Sequence, residues 1–561
     1  MNQQLEKSIA KFFSLGLFVT TVIVIVGVVY DPVNISKLFV LGATALGALV
    51  VFLDSKWRSS ILNNRTELLL FSWLFLAGLV ATFFSTQPIQ RSIYGVSGRN
   101  FGLITLVSYL VIFIVLTQFK EITNIRLIMY SFGASGLVNI LYGILATYVS
   151  DPIQWNNVYG ALLGTFGNPN FAGSFYGLMS AYLLALVLDS NKNKYLRLAS
   201  AVLIPLNFLC IVATDTTQGL LVFGLTNSIV LGFYLKLKLR KNWLLRTFVA
   251  TFALTFSVIF AGILQKGPLV DLVYKRSVSL RGVYWDAAFN AGLNNFWTGV
   301  GLDGLGDWYR RYRSLKAATW LPGPDTVTNS AHNQFLDLFA FGGITLLLPY
   351  ILLIIFGIRS IYVIYKNQKE FDFLPVTLVA LFVGHVAQST ISLHQIGISV
   401  WGWVLLGLLA AYSKNVKTSH VNIRNSETRK SFSKDEPWNV GIFIGTCIGL
   451  IISIPPFTAE AKLVSAIKSQ DYAKVDSALQ QSYFTPLNSD TLNKTIILLE
   501  SNNLGEQALQ QTRKAVKFNP DSFDSWKLLY YITKSTPSEK KQAKLNMKRL
   551  DPLNKKLEKL K

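Results

Sequence analysis

One histidine and a set of arginines in this sequence are placed to do chemistry on an anion. His332 lies in the run Asn329-Ser330-Ala331-His332-Asn333-Gln334-Phe335, where a long polar loop gives way to an apolar helix. Ser330 or Asn329 suits the helix cap, which puts His332 in or beside the first turn, at the water–lipid boundary. A helix N-terminus disfavours imidazolium, so the ring is expected to stay neutral and available as a base. The preceding loop, residues 266–333, carries Lys275, Arg276, Arg281, Arg310, Arg311, Arg313 and Lys316, with Trp285, Trp297, Trp308 and Trp320 among them. Guanidinium groups bind phosphate through paired hydrogen bonds, and aromatic rings stack on sugars and lipids. A base beside such cations at a membrane surface suggests chemistry on an anionic, lipid-linked substrate. The competing reading for Arg310, Arg311 and Arg313 is contact with outer-leaflet phosphates, and it weighs less for Arg281.

The elements that position these residues are helices. Residues 281–296, from Arg281 through Trp285 and Phe289 to Phe296, read as an amphipathic helix whose aromatic face lies on the bilayer while Arg281 faces the site. Gly299, Gly301, Gly304 and Gly306 then read as a flexible turn. Around this loop the chain is apolar: 51% of residues are hydrophobic and 15% charged, with mean hydropathy +0.40, which excludes an ordinary soluble enzyme. Apolar runs recur to about residue 457, and about thirteen are long enough to span a bilayer. They fall at 12–30, 35–54, 66–85, 101–118, 126–149, 170–189, 197–214, 218–236, 244–265, 334–358, 373–392, 397–413 and 439–457. The first resembles a signal sequence, but a second follows almost at once, so it reads as an uncleaved anchor.

The net charge of +23 would fit a nucleic-acid partner, but its placement argues otherwise. Lys56, Arg58 and Arg65, then Lys192, Lys194 and Arg197, then Lys236, Lys238, Arg240 and Lys241, then Lys414, Lys417, Arg424, Arg429 and Lys430 all fall on one side if the N-terminus is cytoplasmic. Residues 266–333 and the C-terminal segment are then outside. Cys210 and Cys447 both sit within spans, so neither a disulfide framework nor a cysteine metal site is expected. The chain therefore divides into a membrane domain, residues 1–457, and a soluble helical domain, residues 458–561. In the latter, Pro486, Pro520 and Pro552 recur near tetratricopeptide spacing, with Ala508 and Ala515 at matching offsets. An unrelated helical bundle is the alternative. A repeat array would offer a groove for a protein partner.

Several short patterns, in order along one membrane face, resemble the O-antigen ligase and O-antigen polymerase superfamily, which includes the bacterial protein O-oligosaccharyltransferases. They are Tyr94, Gly95, Arg99 and Gly102; Gly164-Thr165-Phe166-Gly167-Asn168-Pro169-Asn170-Phe171-Ala172; Arg281, Trp285 and Ala288; Gly299-Val300-Gly301; and Ala331, His332, Asn333, Leu336 and Gly342-Gly343. The resemblance covers about residues 65–413. It implies an all-α, polytopic membrane fold of the glycosyltransferase C type with a soluble helical repeat domain. It also implies a metal-independent transfer, without nucleotide or other cofactor, on the outer face of the bacterial cytoplasmic membrane. The donor would be a glycan on undecaprenyl pyrophosphate, and the acceptor a hydroxyl of lipid A core, of a growing glycan or of a protein. In such a site His332 activates the acceptor and Arg281 holds the leaving pyrophosphate. Arg99, Arg276, Asn168, Asn170, Gln218, Asn333 and Trp285 would contact substrate. Two positions depart from the family pattern. Gln218 stands where many members have arginine, and Leu162 and Leu163 precede the Gly-Thr-Phe-Gly element where an arginine is common. A phosphate ligand would then fall to Arg99, Arg276 or Arg281.

The remaining histidines read differently. His385 lies within a span and suits a buried hydrogen-bonded role, and His420 sits in a basic linker. His394, in a short outer loop beside Gln395, is second in line as a base. Asn168 and Asn170 equally suit plain capping of the helix that Pro169 opens. A transporter or flippase is the rival class, but spans nearly free of charge and the lack of any repeat between the halves argue against it. A non-catalytic scaffold for the repeat tail leaves His332 and the arginine-rich loop without a purpose.

Overall fold

The structure, a computed structural model, describes residues 2–155, 157–274, 276–419, 438–480 and 489–560. Among them all regular structure is helical, and the chain is an all-α, polytopic membrane protein. Among the described residues nine helices are long and apolar enough to cross a bilayer, from Asn34–Leu53 to Ile396–Val416. A tenth candidate is the pair Trp438–Ser453 and Pro455–Lys468, bent by 50° where Pro455 follows Ile454. The other three of the thirteen expected spans are also helices but do not qualify by length and composition. Gln3–Val22 carries Glu6, Lys7 and Lys11 in its first half, while Leu103–Leu116 and Phe373–Ser389 are apolar but only 14 and 17 residues long. Both short helices are almost wholly buried, so they form the centre of the bundle.

Local sequence sets the ends of these helices. Asn168 caps Pro169–Leu188 by accepting from Asn170 N at 2.9 Å, with proline at the first helical position. Thr216 caps Thr217–Tyr234, and Asp372 caps Phe373–Ser389. The helix Gln334–Asn367 is broken at Gly343, which adopts φ 63° and ψ −159°. The groups freed by the break are met by the glycine-rich segment. Val300 N donates to Ala340 O at 2.8 Å, Gly301 N to Phe341 O at 3.0 Å, and Ile344 N to Phe296 O at 2.7 Å. The turn read as flexible is therefore pinned. A Cβ at Gly299 would strike the backbone of Phe341 and Gly342, and one at Gly343 the backbone of Phe296 and Trp297, so both glycines are needed for the close approach.

The loops sort onto two faces. On one face the Glu6 carboxylate accepts the N–H groups of Lys120 and Glu121, Lys414 pairs with Glu67 at 2.6 Å, and Asp189 accepts Phe373 N. On the other, Glu460 accepts from Tyr30 N, Asp31 N and Ser97 Oγ, and Arg91 pairs with Asp307 at 2.6 Å. The arginine-rich loop and the C-terminal segment meet on this second face. That segment holds its own apolar core, from Ala459 to Leu557. Its helices pack in consecutive pairs: Pro455–Lys468 with Tyr472–Ala478, Ser489–Ser501 with Gly505–Phe518, and Phe523–Tyr531 with Pro537–Leu550.

The partners of the loop arginines correct the expectation of lipid contacts. Arg313, fully buried, donates from Nη2 to both carboxylate oxygens of Asp551, at 2.7 and 2.8 Å. Arg310 reaches the same carboxylate at 3.3 Å and lies over the Phe523 ring. Arg311 pairs with Asp521, which also accepts from Thr86 and Arg549. Burial of three guanidiniums requires matching acids, and the C-terminal segment supplies them. The three arginines clasp the loop to the tail.

A candidate active site between two cavities

His332 is presented by a turn immediately before the Gln334–Asn367 helix. Asn333 is the cap: its Oδ1 accepts from Phe335 N at 3.0 Å and Leu336 N at 3.2 Å. Ser330, expected as a cap, is used otherwise. Its hydroxyl donates to Asp337 and accepts from His332 N at 3.0 Å, while Asp337 also accepts Ala331 N at 2.7 Å. Residues 330–331 are thereby tied to the first helical turn. His332 bridges that tie and the cap with φ 55°, a left-handed conformation that a non-glycine residue rarely holds unless its surroundings fix it. The cap position also explains why Asn333 lines neither cavity described below. Its carboxamide oxygen is committed to the helix, contrary to its expected role as a substrate contact.

The ring of His332 stacks on Tyr284, with centroids 5.8 Å apart and planes at 27°. Burial first, and then the guanidiniums of Arg281 and Arg99, push its pKa down to about 4. The imidazole is neutral, held so by burial and two cations. His332 lines a cavity of about 690 Å3 together with Arg99, Asn168, Tyr159, Trp155 and Ser330. Arg99 pairs with the buried Asp303 at 2.6 Å. Asn168 serves both as cap and as cavity wall, with Nδ2 donating to the Tyr159 hydroxyl at 3.3 Å.

A second cavity, of about 570 Å3, is mostly apolar and runs between the helices Thr217–Tyr234 and Asn242–Ile263. Leu221, Leu225, Phe256 and Phe260 line it, and Arg281, Trp285, Gln218 and Asn170 add its polar wall. Tyr159 borders both cavities. The amphipathic helix expected at 281–296 runs from Arg276 to Asn294. Trp285 shares the cavity with Arg281 one turn away, so it faces the site and not the bilayer. The side chain of Arg276, like Lys275 and His420, lies outside the described residues.

The pairing of the arginines separates them. Arg91, Arg99, Arg310, Arg311 and Arg313 each have a carboxylate partner. Arg281 is half-buried, and burial lowers its pKa, yet no carboxylate among the described residues pairs with it. Gln218 is buried and donates to Ser174 Oγ at 2.8 Å, while its Oε1 has no hydrogen-bond partner among the described residues. His394, second in line as a base, lines neither cavity; its Nε2 meets the Tyr109 hydroxyl at 2.9 Å in the core. His385 is buried within its helix. Among the described residues no group of three or more His, Cys, Asp or Glu side chains is arranged to hold a metal ion.

Tyr284, Asp337 and Asp303 are the residues that the sequence reading missed. Tyr284 lies one turn beyond Arg281, a spacing that identifies a common face once the helix is accepted.

Residues 200–351 match the family model described as O-antigen ligase. The matched segment runs from within the helix Lys194–Ala213, through the lipid-side cavity wall, Arg281 and His332, to just past the Gly343 break. No curated protein matches the chain.

Proposed function

We propose that this multi-pass membrane protein of the O-antigen ligase and polymerase superfamily moves a glycan from undecaprenyl pyrophosphate to an acceptor hydroxyl, on the outer face of the bacterial cytoplasmic membrane. One observation carries the reading. A half-buried arginine with no carboxylate partner among the described residues stands beside a neutral histidine, where an apolar groove and a polar cavity adjoin. A half-buried cation so placed calls for an anionic ligand. The apolar groove suits the polyprenyl chain, and the polar cavity with its aromatic walls suits sugar.

In this arrangement Arg281 holds the diphosphate as charge builds on it, and His332 takes the proton of the acceptor hydroxyl. The acceptor oxygen forms a bond to the anomeric carbon while the bond to the diphosphate breaks, so the pyrophosphate lipid leaves with the electron pair. An imidazole of pKa about 4 is a weak base. Burial depresses it most; the diphosphate of a bound donor would offset the two cations that add to this and strengthen the base. Asn170, Gln218 and Trp285 fit donor contacts, and Asn168 and Arg99 fit the sugar side. A strain lacking the protein tests the reading. It should lose one surface glycan and accumulate the lipid-linked precursor. Unchanged glycans with no accumulation would contradict it.

A further inference from the structure

The C-terminal segment reaches the cavity that holds His332. The helix Ser489–Ser501 lines it with Asp490, Thr491 and Lys494, drawn from its first two turns. Asp490 and Lys494 are four residues apart, so they share one face of the helix. Both are exposed, and among the described residues neither makes an ion pair.

The position of this helix is fixed by more than its own core. Ser489 Oγ accepts from Asn519 Nδ2 at 3.2 Å, and the same amide donates to Asp307 at 2.8 Å. Asp307 pairs in turn with Arg91. The clasp from Arg313 to Asp551, with both side chains fully buried, anchors the far end of the segment. The buried polar network fixes the helix that carries both charges along the cavity wall.

We propose that the C-terminal helix pairs, read as tetratricopeptide-like repeats, are a fixed part of the acceptor site, and that Asp490 and Lys494 bind the incoming acceptor, a glycan chain. This rests on the reading of the His332 cavity as the acceptor side. A carboxylate and an ammonium one helical turn apart complement sugar hydroxyls, which both donate and accept. Trp155 and Tyr159 border the same cavity and offer faces for a pyranose ring. A cavity of about 690 Å3, walled on one side by a clamped helix, admits the end of a narrow chain and excludes the surface of a folded protein.

The test uses full-length enzyme in detergent, with lipid-linked donor extracted from the producing strain. The acceptors are oligosaccharides released from that strain's surface glycan and, separately, a folded protein from the same strain. The double variant Asp490→Ala, Lys494→Ala should raise the acceptor KM about 10- to 100-fold, the range for lost hydrogen bonds to charged groups. The donor KM should not change. Asp551→Ala leaves both side chains unaltered but frees the clasp that holds their helix, and it should raise the acceptor KM in the same direction. An acceptor KM within twofold of wild type in the double variant, or transfer to the folded protein alone, would overturn the assignment. No transfer by the wild-type enzyme to these acceptors or to lipid A core from the same strain would overturn the underlying reading as well.

Discussion

Replacing Arg281 by alanine isolates the effect of a single cation. The side chain is half-buried, has no carboxylate partner among the described residues and lies on the wall of the apolar groove. A fixed donor aimed at charge that develops in the transition state is worth roughly 3–4 kcal/mol, or about 100- to 1000-fold in rate. The same substitution acts on His332. Burial first, and then the cations of Arg281 and Arg99, hold its pKa at about 4, so the variant should raise that value part of the way towards the ordinary 6.5, with burial still holding it below. The neutral ring is the active form. Activity is therefore present above its pKa and lost as pH falls through it, and the acid limb of kcat/KM should move to higher pH in the variant. Near neutral pH the ring is uncharged in both proteins, so the rate loss there measures the lost cation alone. Arg281→Lys should recover part of the rate, since charge is kept but the paired hydrogen bonds are not. Single-turnover transfer at sub-saturating lipid-linked donor, which gives kcat/KM, followed across pH, reads both effects. An alanine variant within a few-fold of wild type near neutral pH, or an acid limb that stays in place, would refute the reasoning.

The clasp and the second histidine give two further expectations. Asp551→Ala leaves Arg313 buried without its partner, which should cost about 3–5 kcal/mol of local stability and expose the C-terminal segment to limited proteolysis. Asp551→Asn, which keeps one hydrogen bond, should be milder. His394→Gln should lower transfer only modestly, because the ring is bonded to Tyr109 in the core and lines neither cavity. A loss equal to that of a His332 variant would move the base to His394.

The sequence carried the helices and the two central residues because both are local signals. Asn168-Pro169 announces a capped helix entry, and the structure has it there. His332 before an apolar run, and Arg281 one turn from Tyr284 and Trp285 on an amphipathic helix, are legible from spacing. Pairing is not. Arg313 meets Asp551 across 238 residues, and nothing near either residue distinguishes a protein carboxylate from a lipid phosphate as its partner. The same ambiguity put Trp285 on the bilayer, since an aromatic face suits a groove as well as a membrane. Two candidate caps, Ser330 and Asn329, suit the sequence before the Gln334–Asn367 helix, and neither takes the position. Asn333 holds the position because Ser330 is drawn to Asp337, a contact from one helical turn on that a cap motif does not encode. The break at Gly343 was hidden for a related reason. Paired glycines signal freedom, whereas here they admit the backbone of residues 296–301.

The central claim is that His332 takes a proton during transfer, and His332→Gln tests it most directly. Glutamine keeps a hydrogen-bonding group in a side chain of similar reach but cannot act as a base. The account predicts that the variant inserts, binds lipid-linked donor as the wild type does, and transfers glycan about 100- to 10,000-fold more slowly, the usual range for a general base. Donor binding and single-turnover transfer measured on the same preparation separate the two steps. Transfer at the wild-type rate with donor binding intact would contradict the account.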